Sequence, residues 1–249
     1  MNRKAIFISA RLDSTRLPNK AMLSLCGEPS IQYLIRNLKS SKYADKIILC
    51  TTLNSEDDAL CQLAEKNGID FFRGSTDDKL LRWLGACKKN NVEFFVNVDG
   101  DDLFFDTPLA DLCLDYSNGF DFIDGRGLYN DVYGIRTTAL ETVCDLKNTE
   151  DTEFVRPHFV DPVKGFKVKR IQDAPSKYQK KKIRMTLDYI EDLKFFETVI
   201  SHFQQTDTES TFDKILQFLK DNPEVVEINW FREEEWKNNQ TKMISRVVL

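Results

Sequence analysis

Apolar runs alternate with amphipathic stretches through the first half of the chain, in a β-then-α rhythm. Ala5 to Ser9, Lys46 to Thr51, Asp70 to Arg73, Glu93 to Val98 and Phe120 to Ile123 read as buried strands. Between them, Ile31 to Leu38, Asp57 to Asn67 and Lys79 to Lys89 carry apolar residues at helical spacing. This order predicts an α/β fold, a mostly parallel sheet with helices on both faces and right-handed crossovers.

From about residue 126 the rhythm loosens. Val132 to Arg136, Val168 to Gln172 and Ile183 to Leu187 read as strands, with EDTEFVRPHFVDP between the first two. Residues 126–182 are expected to form an excursion that caps the site or contacts a second subunit. Two helices, Glu191 to Gln204 and Thr211 to Asp221, and a short strand near Val225 to Ile228 close the pattern. No internal repeat, low-complexity tract or flexible linker interrupts it, so residues 1–249 read as one domain.

Composition narrows the function. With 41% hydrophobic and 30% charged residues the chain suits a globular, soluble protein, and its formal net charge of -5 speaks against a general nucleic-acid or membrane-surface binder. An anionic ligand must therefore be held by a local cluster of cations. There is no apolar signal-peptide core and no run long enough to span a bilayer, so a cytoplasmic location is expected. The 6 cysteines show no C-x-x-C spacing and read as reduced core thiols; with only 2 histidines, the chemistry must rest on carboxylates, cations and a divalent metal.

The strand at Ala5 runs into ARLDSTRLPNK, residues 10–20. Arg11, Arg16 and Lys20 crowd this strand-to-helix connection, where open α/β sheets place ligands. Guanidinium groups fork onto phosphate oxygens and a lysine adds a movable point charge, so the trio suits a polyphosphate, with Ser14 and Thr15 as hydroxyl donors. Neither G-x-x-x-x-G-K-[ST] nor G-x-G-x-x-G is present. Side chains, more than a glycine nest, would hold the phosphates.

Two acidic segments complete the constellation. FFVNVDGDDLFFD, residues 94–106, delivers Asp99, Asp101 and Asp102 at the end of an apolar strand, with Gly100 allowing close approach of a ligand. Such carboxylates suit Mg²⁺, which takes one or two of them together with substrate phosphates. An acidic strand-capping turn has the same composition. IRMTLDYIEDL, residues 183–193, carries Asp188 just before a helix, either to complete a metal site or to cap the helix.

Together, ARLDSTRLPNKAM, VNVDGDDLFFD and IRMTLDYIEDLKFF resemble the cytidylyltransferases that make CMP-sugars, the CMP-KDO and CMP-acylneuraminate synthetase group. The closing FDKILQFLKDNPEVVEINW is similar to the spore coat polysaccharide biosynthesis protein F branch. The resemblance implies a three-layer, Rossmann-like nucleotidyltransferase that uses CTP and Mg²⁺ and releases pyrophosphate. It implies Arg11, Ser14, Arg16 and Lys20 at the triphosphate, Asp101 and Asp188 at the metal, and Ser75, Asp78 and Arg82 of RGSTDDKLLRW near the nucleotide, with Asp99 beside them. It also implies an acidic acceptor, a homodimer built through the excursion, and a place in surface polysaccharide biosynthesis.

Departures fall on the acceptor side. Asp102 and Leu103 stand where the branch has Cys-Pro, Phe154 to Arg156 where it has His-Val-Thr, and Ile190 where it has a proline. Candidate holders of the acceptor are Arg156, Tyr133, Arg184 and the run Lys177, Lys180, Lys181 and Lys182. The acceptor could be a nonulosonic or octulosonic acid, another sugar or a phosphonate. Two other readings remain open: a glycosyltransferase using Asp99-Gly100-Asp101 as a D-x-D site, and a nucleotide-binding homologue without turnover.

Overall fold

The computed structural model describes residues 3–171, 174–179 and 181–247. Strand β1 (Arg3–Ser9) lies at the centre of a seven-stranded sheet. A small hairpin, β2 (Ser24–Leu25) with β3 (Glu28–Pro29), leads into α1 (Ser30–Leu38). Then follow β4 (Lys46–Thr52), α2 (Asp58–Lys66), β5 (Asp70–Gly74), α3 (Lys79–Asn90), β6 (Val92–Asp99) and α4 (Thr107–Asp115). The sheet order is β5-β4-β1-β6 with all four strands parallel, so Ser9, Thr52, Gly74 and Asp99 end at one edge.

The excursion belongs to the same sheet. β7 (Phe122–Asp124), β8 (Tyr133–Arg136) and β9 (Val168–Arg170) extend it as β6-β8-β7-β9, with β8 antiparallel to both neighbours and β9 parallel to β7. Helices α5 (Thr137–Leu146) and α6 (Pro157–Val160) lie between β8 and β9. The chain continues through α7 (Ile190–Gln205), α8 (Phe212–Asp221), α9 (Pro223–Trp230) and α10 (Arg232–Val247).

Strand alternation builds two cores. Ile6 and Ile8 of β1 join α1, α2, α4 and α7 on one face, while Ala5 and Phe7 join α3 and α5 on the other. All four are fully buried, which is why β1 reads as an unbroken apolar run. Phe7 stacks on Phe95 at 4.2 Å, and Trp83 meets Phe95 edge-on.

Two expected strands turn out otherwise. Ile183 to Leu187 is extended but unladdered, because β1 and β8 already flank β6; Leu187 N–H donates to the Asp101 carbonyl at 3.0 Å. Val225 to Ile228 lies inside α9, where Pro223 opens the first turn and Val225, Val226 and Asn229 share a buried helical face. The strand expected over Val168 to Gln172 is β9, and Gln172 lies outside the described residues. Helices α4 and α5 form where no helix was expected, and α10 extends the helical C-terminal part beyond α8.

Candidate functional site

At the carboxyl edge of the sheet, Gly100 N–H donates to the Ser9 carbonyl at 2.8 Å, locking the end of β6 against β1. A Cβ on Gly100 would come within 2.8 Å of the Ala10 Cβ and 3.0 Å of the Ser9 oxygen, so only glycine lets the two segments meet. The loop after β1 is held by Asp57, which is 1% exposed and accepts from Leu12 N–H (2.9 Å), Thr51 Oγ1 (2.8 Å) and Thr52 N–H (3.1 Å). Asn19 then turns left-handed into a short 3-10 turn at Lys20–Met22, and the Ser30 hydroxyl donates to the Lys20 carbonyl.

These restraints aim Lys20 between two carboxylates. Its Nζ donates to Asp101 Oδ2 at 2.5 Å and to Asp188 Oδ1 at 2.9 Å, and Arg16 Nη2 reaches the same Asp188 oxygen at 2.6 Å. Residues 16, 20, 101 and 188 thus converge from three separate segments. Burial disfavours the Lys20 charge, but Asp101 and Asp188 outweigh it and hold the ammonium above its ordinary pKa. The carboxylates split: burial would raise both, yet Lys20 and Arg16 depress Asp188 while Asp101 stays raised, with Asp188 and Asp99 adding to its burial.

Behind Asp188 lies a buried network. Arg184 donates to Asp188 Oδ2 (3.1 Å), to both oxygens of Asp192 (2.9 and 3.1 Å) and to Glu233 (3.4 Å). Asp192, in the first turn of α7, also accepts from the Asp188 and Tyr189 backbone N–H groups at 2.8 and 2.9 Å, and Asn229 of α9 donates to it at 2.9 Å. Arg184, expected to meet the acceptor, is 2% exposed and spends its guanidinium fixing Asp188 instead.

Other expected residues are also engaged within the protein. Asp78 is 2% exposed, caps α3 through Leu81 N–H (3.0 Å), accepts from the Thr152 hydroxyl (3.0 Å) and pairs with Lys147. Arg82 is buried and donates to the carbonyls of Ser75 and Thr76, shaping that loop, while the Ser75 hydroxyl accepts from Asp78 N–H. Arg11 stands at the surface with Asp13 and the Thr76 carbonyl, and Ser14 is half-buried on the same loop. Arg156 donates to Asp124 at 2.8 Å. Tyr133 stacks on Phe122, its hydroxyl pushed up by burial and then by Asp131, Asp124 and Asp99. Lys177 pairs with Asp106 and Asp213, and Lys182 with Glu227; Lys181 is exposed, and Lys180 lies outside the described residues.

Lys79, Asp57 and Asp192 were not singled out from the sequence. Lys79, inside the quoted RGSTDDKLLRW, donates to Asp99 at 3.0 Å, and Asn97 donates to the same oxygen at 3.1 Å. Its place one residue after Asp78 was the available signal. Nothing in the local pattern marks Asp57, whose partners are the distant Leu12 N–H and the nearby hydroxyls and backbone of Thr51 and Thr52. Asp192 was visible only as the acidic third residue of a helix.

No cluster of three or more histidine, cysteine or carboxylate side chains gathers among the described residues as a protein-only metal cage would. Two hard carboxylates sharing one ammonium at a ligand edge are the donor set that suits Mg²⁺ completed by phosphates and water. No helix among the described residues is long and apolar enough to cross a membrane.

The chain is 33% identical over 230 residues to an uncharacterized protein of Methanocaldococcus jannaschii, covering 89% of this chain and 92% of that one. It is 24% identical over 242 residues to the spore coat polysaccharide biosynthesis protein SpsF of Bacillus subtilis, covering 90% and 97%. A solved cytidylyltransferase of Leptospira borgpetersenii superposes with a TM-score of 0.80 at 27% identity, over 91% of this chain and 97% of that one. The family described as cytidylyltransferase matches residues 5–221, from the first strand through the whole constellation of Arg16, Lys20, Asp101 and Asp188, and the chain belongs to that family.

Proposed function

We propose that the protein transfers CMP from CTP to an acidic acceptor and releases pyrophosphate. The observation that carries this reading is the Lys20 ammonium held between Asp101 and Asp188, with Arg16 beside it, at the carboxyl edge of the sheet. A triphosphate offers Lys20 and Arg16 new anionic partners, and their departure frees the two carboxylates. Asp101 and Asp188 would then hold Mg²⁺, which supplies neutralisation of phosphate charge and a lowered pKa for the acceptor hydroxyl.

The chain's own residues do the positioning. Arg11, Ser14, Arg16 and Lys20 orient the triphosphate, with the Ser75 loop and Asp99 lining the nucleotide and Asp78 and Arg82 shaping that lining from within. Arg184 and Asp192 keep Asp188 aimed, and no covalent intermediate is needed. The acceptor belongs to the acid sugars or related phosphonates of surface polysaccharide synthesis. Residues 126–182 form its cap or the contact of a cytoplasmic homodimer.

Pyrophosphate release is the test, measured with each of the four ribonucleoside triphosphates and Mg²⁺ against acid sugars and small phosphonates. CTP is expected to be the productive nucleotide. Lys20→Ala and Arg16→Ala are expected to slow release roughly ten- to a hundredfold or more. Asp101→Asn and Asp188→Asn should cost more, and wild-type rates in both would remove the metal assignment. Release of a nucleoside diphosphate from a nucleotide sugar would replace this reading with glycosyl transfer.

A further inference from the structure

Cations expected to hold an acidic acceptor are already engaged: Arg156 with Asp124, Arg184 within its carboxylates, Lys177 with Asp106 and Asp213. Two arginines are not. Arg126 and Arg170 line a cavity of about 280 Å³ with Gly127, Leu128, Ile171 and Gln179. Among the described residues neither guanidinium makes a hydrogen bond or ion pair, and no carboxylate lines the cavity. The nearby acid Asp131 accepts from Gly127 N–H at 2.9 Å.

The cavity has a built frame. Leu128 and Ile171, 3% and 5% exposed, join the apolar core beneath it. Leu128 bridges to Gln179, Tyr129 N–H donates to the Tyr178 carbonyl at 3.0 Å, and Ile171 N–H donates to the Asp124 carbonyl at 3.0 Å. Gly127, at φ +92°, supplies the left-handed turn that brings Arg126 over this floor.

Its position relates it to the proposed active site. β6, β7 and β9 run in the same direction, so Arg126 and Arg170 emerge at the edge where β6 delivers Asp99 and Asp101. In register, Asn97 pairs with Tyr133, Tyr133 with Asp124 and Asp124 with Arg170. Three strand spacings separate the ends of that row, roughly 14 Å. A ligand extending from the phosphates along the sheet edge passes Tyr133 and reaches the arginine pair. In a chain of net charge -5, two guanidiniums that pair with no described residue and stand over an apolar floor form a local anion trap.

We propose that Arg126 and Arg170 form the subsite for an oxyanion of the acceptor, a carboxylate or a phosphate. The inference rests on the nucleotidyl-transfer reading for its substrate and on the cavity for its site. Arg126 and Arg170 would then set which acceptors bind, and Arg156 and Arg184 would not.

The test is equilibrium titration calorimetry on the full chain saturated with CTP, so that the triphosphate loop is filled. N-acetylneuraminate serves as the carboxylate probe and inorganic phosphate as the phosphate probe. At least one should bind the wild type, and the one that does identifies the oxyanion. Arg126→Gln and Arg170→Gln should each weaken binding roughly tenfold, and the double variant further, with CTP affinity unchanged. The exposed Lys167→Gln serves as a control and should leave both affinities as they are. Failure of both probes to bind, or wild-type binding by the double variant, overturns the subsite. If CTP itself fails to bind, the nucleotidyl-transfer reading falls. The same titrations without nucleotide then judge the cavity alone, by whether the double variant loses the anion.

Discussion

At the scale of single residues, the site is organised by what lies behind it. Asp188 meets Lys20 and Arg16 in front, which hold its pKa down, but its direction is fixed from behind by Arg184 and Asp192, both buried. Asp192→Asn removes the carboxylate that pairs with Arg184 and that accepts three further hydrogen bonds, from the Asp188 and Tyr189 backbone N–H groups and from Asn229. Arg184 keeps Asp188 and Glu233, so the loss stays below the roughly 3 to 5 kcal/mol of a fully orphaned buried charge, and urea unfolding at neutral pH should show about 2 to 3 kcal/mol. A loss under about 1 kcal/mol would mean that the network tolerates an amide. In the sequence, Asp192 was one acid among many at a helix start; only burial gives it this weight.

At the scale of elements, α6 carries a pH dependence. His158 sits half-buried with no hydrogen-bond partner for Nε2, and burial, then Lys164 and Lys147, lower its pKa from the ordinary 6.5. The unfolded chain therefore takes up this proton first as pH falls. The stability contributed by neutral His158 is intact above about 6.5 and is lost progressively below it, towards the depressed folded-state value. Urea midpoints at pH 7.5 and 5.5 should fall further for the wild type than for His158→Gln, and equal falls would refute the assignment. The elements themselves were unevenly legible. β1, β4 and β6 declared themselves because both their faces are buried, while β5, the half-buried edge strand, showed only its short Phe71-Phe72 core. α9 did not, because its valines resemble a strand until Asn229 is seen on the same face, donating to Asp192.

At the scale of the whole molecule, α9 and α10 brace the segment that carries Asp188. Asn229 and Glu233 reach the Arg184 network, and Arg232 pairs with Glu191 at the start of α7. The family match ends at residue 221, so these contacts come from the segment beyond it. The proposed homodimer belongs to this scale as well. Sedimentation equilibrium should return twice the 28.9 kDa chain mass, and the single-chain mass at micromolar concentration would remove the dimer from the reading.

The sequence by itself determined the α/β class, the parallel strands and the three segments that bear Arg16, Lys20, Asp101 and Asp188. Each of these rests on local information, an apolar run or a dense cluster of charge, that survives without coordinates. Only the tertiary structure decided how individual cations are used. Arg184 and Arg126 look alike in the sequence, yet one is enclosed by Asp188, Asp192 and Glu233 while the other lines an unpaired cavity. The difference is physical: an arginine's role depends on which carboxylates the fold brings within hydrogen-bond reach, and those partners lie up to 49 residues away.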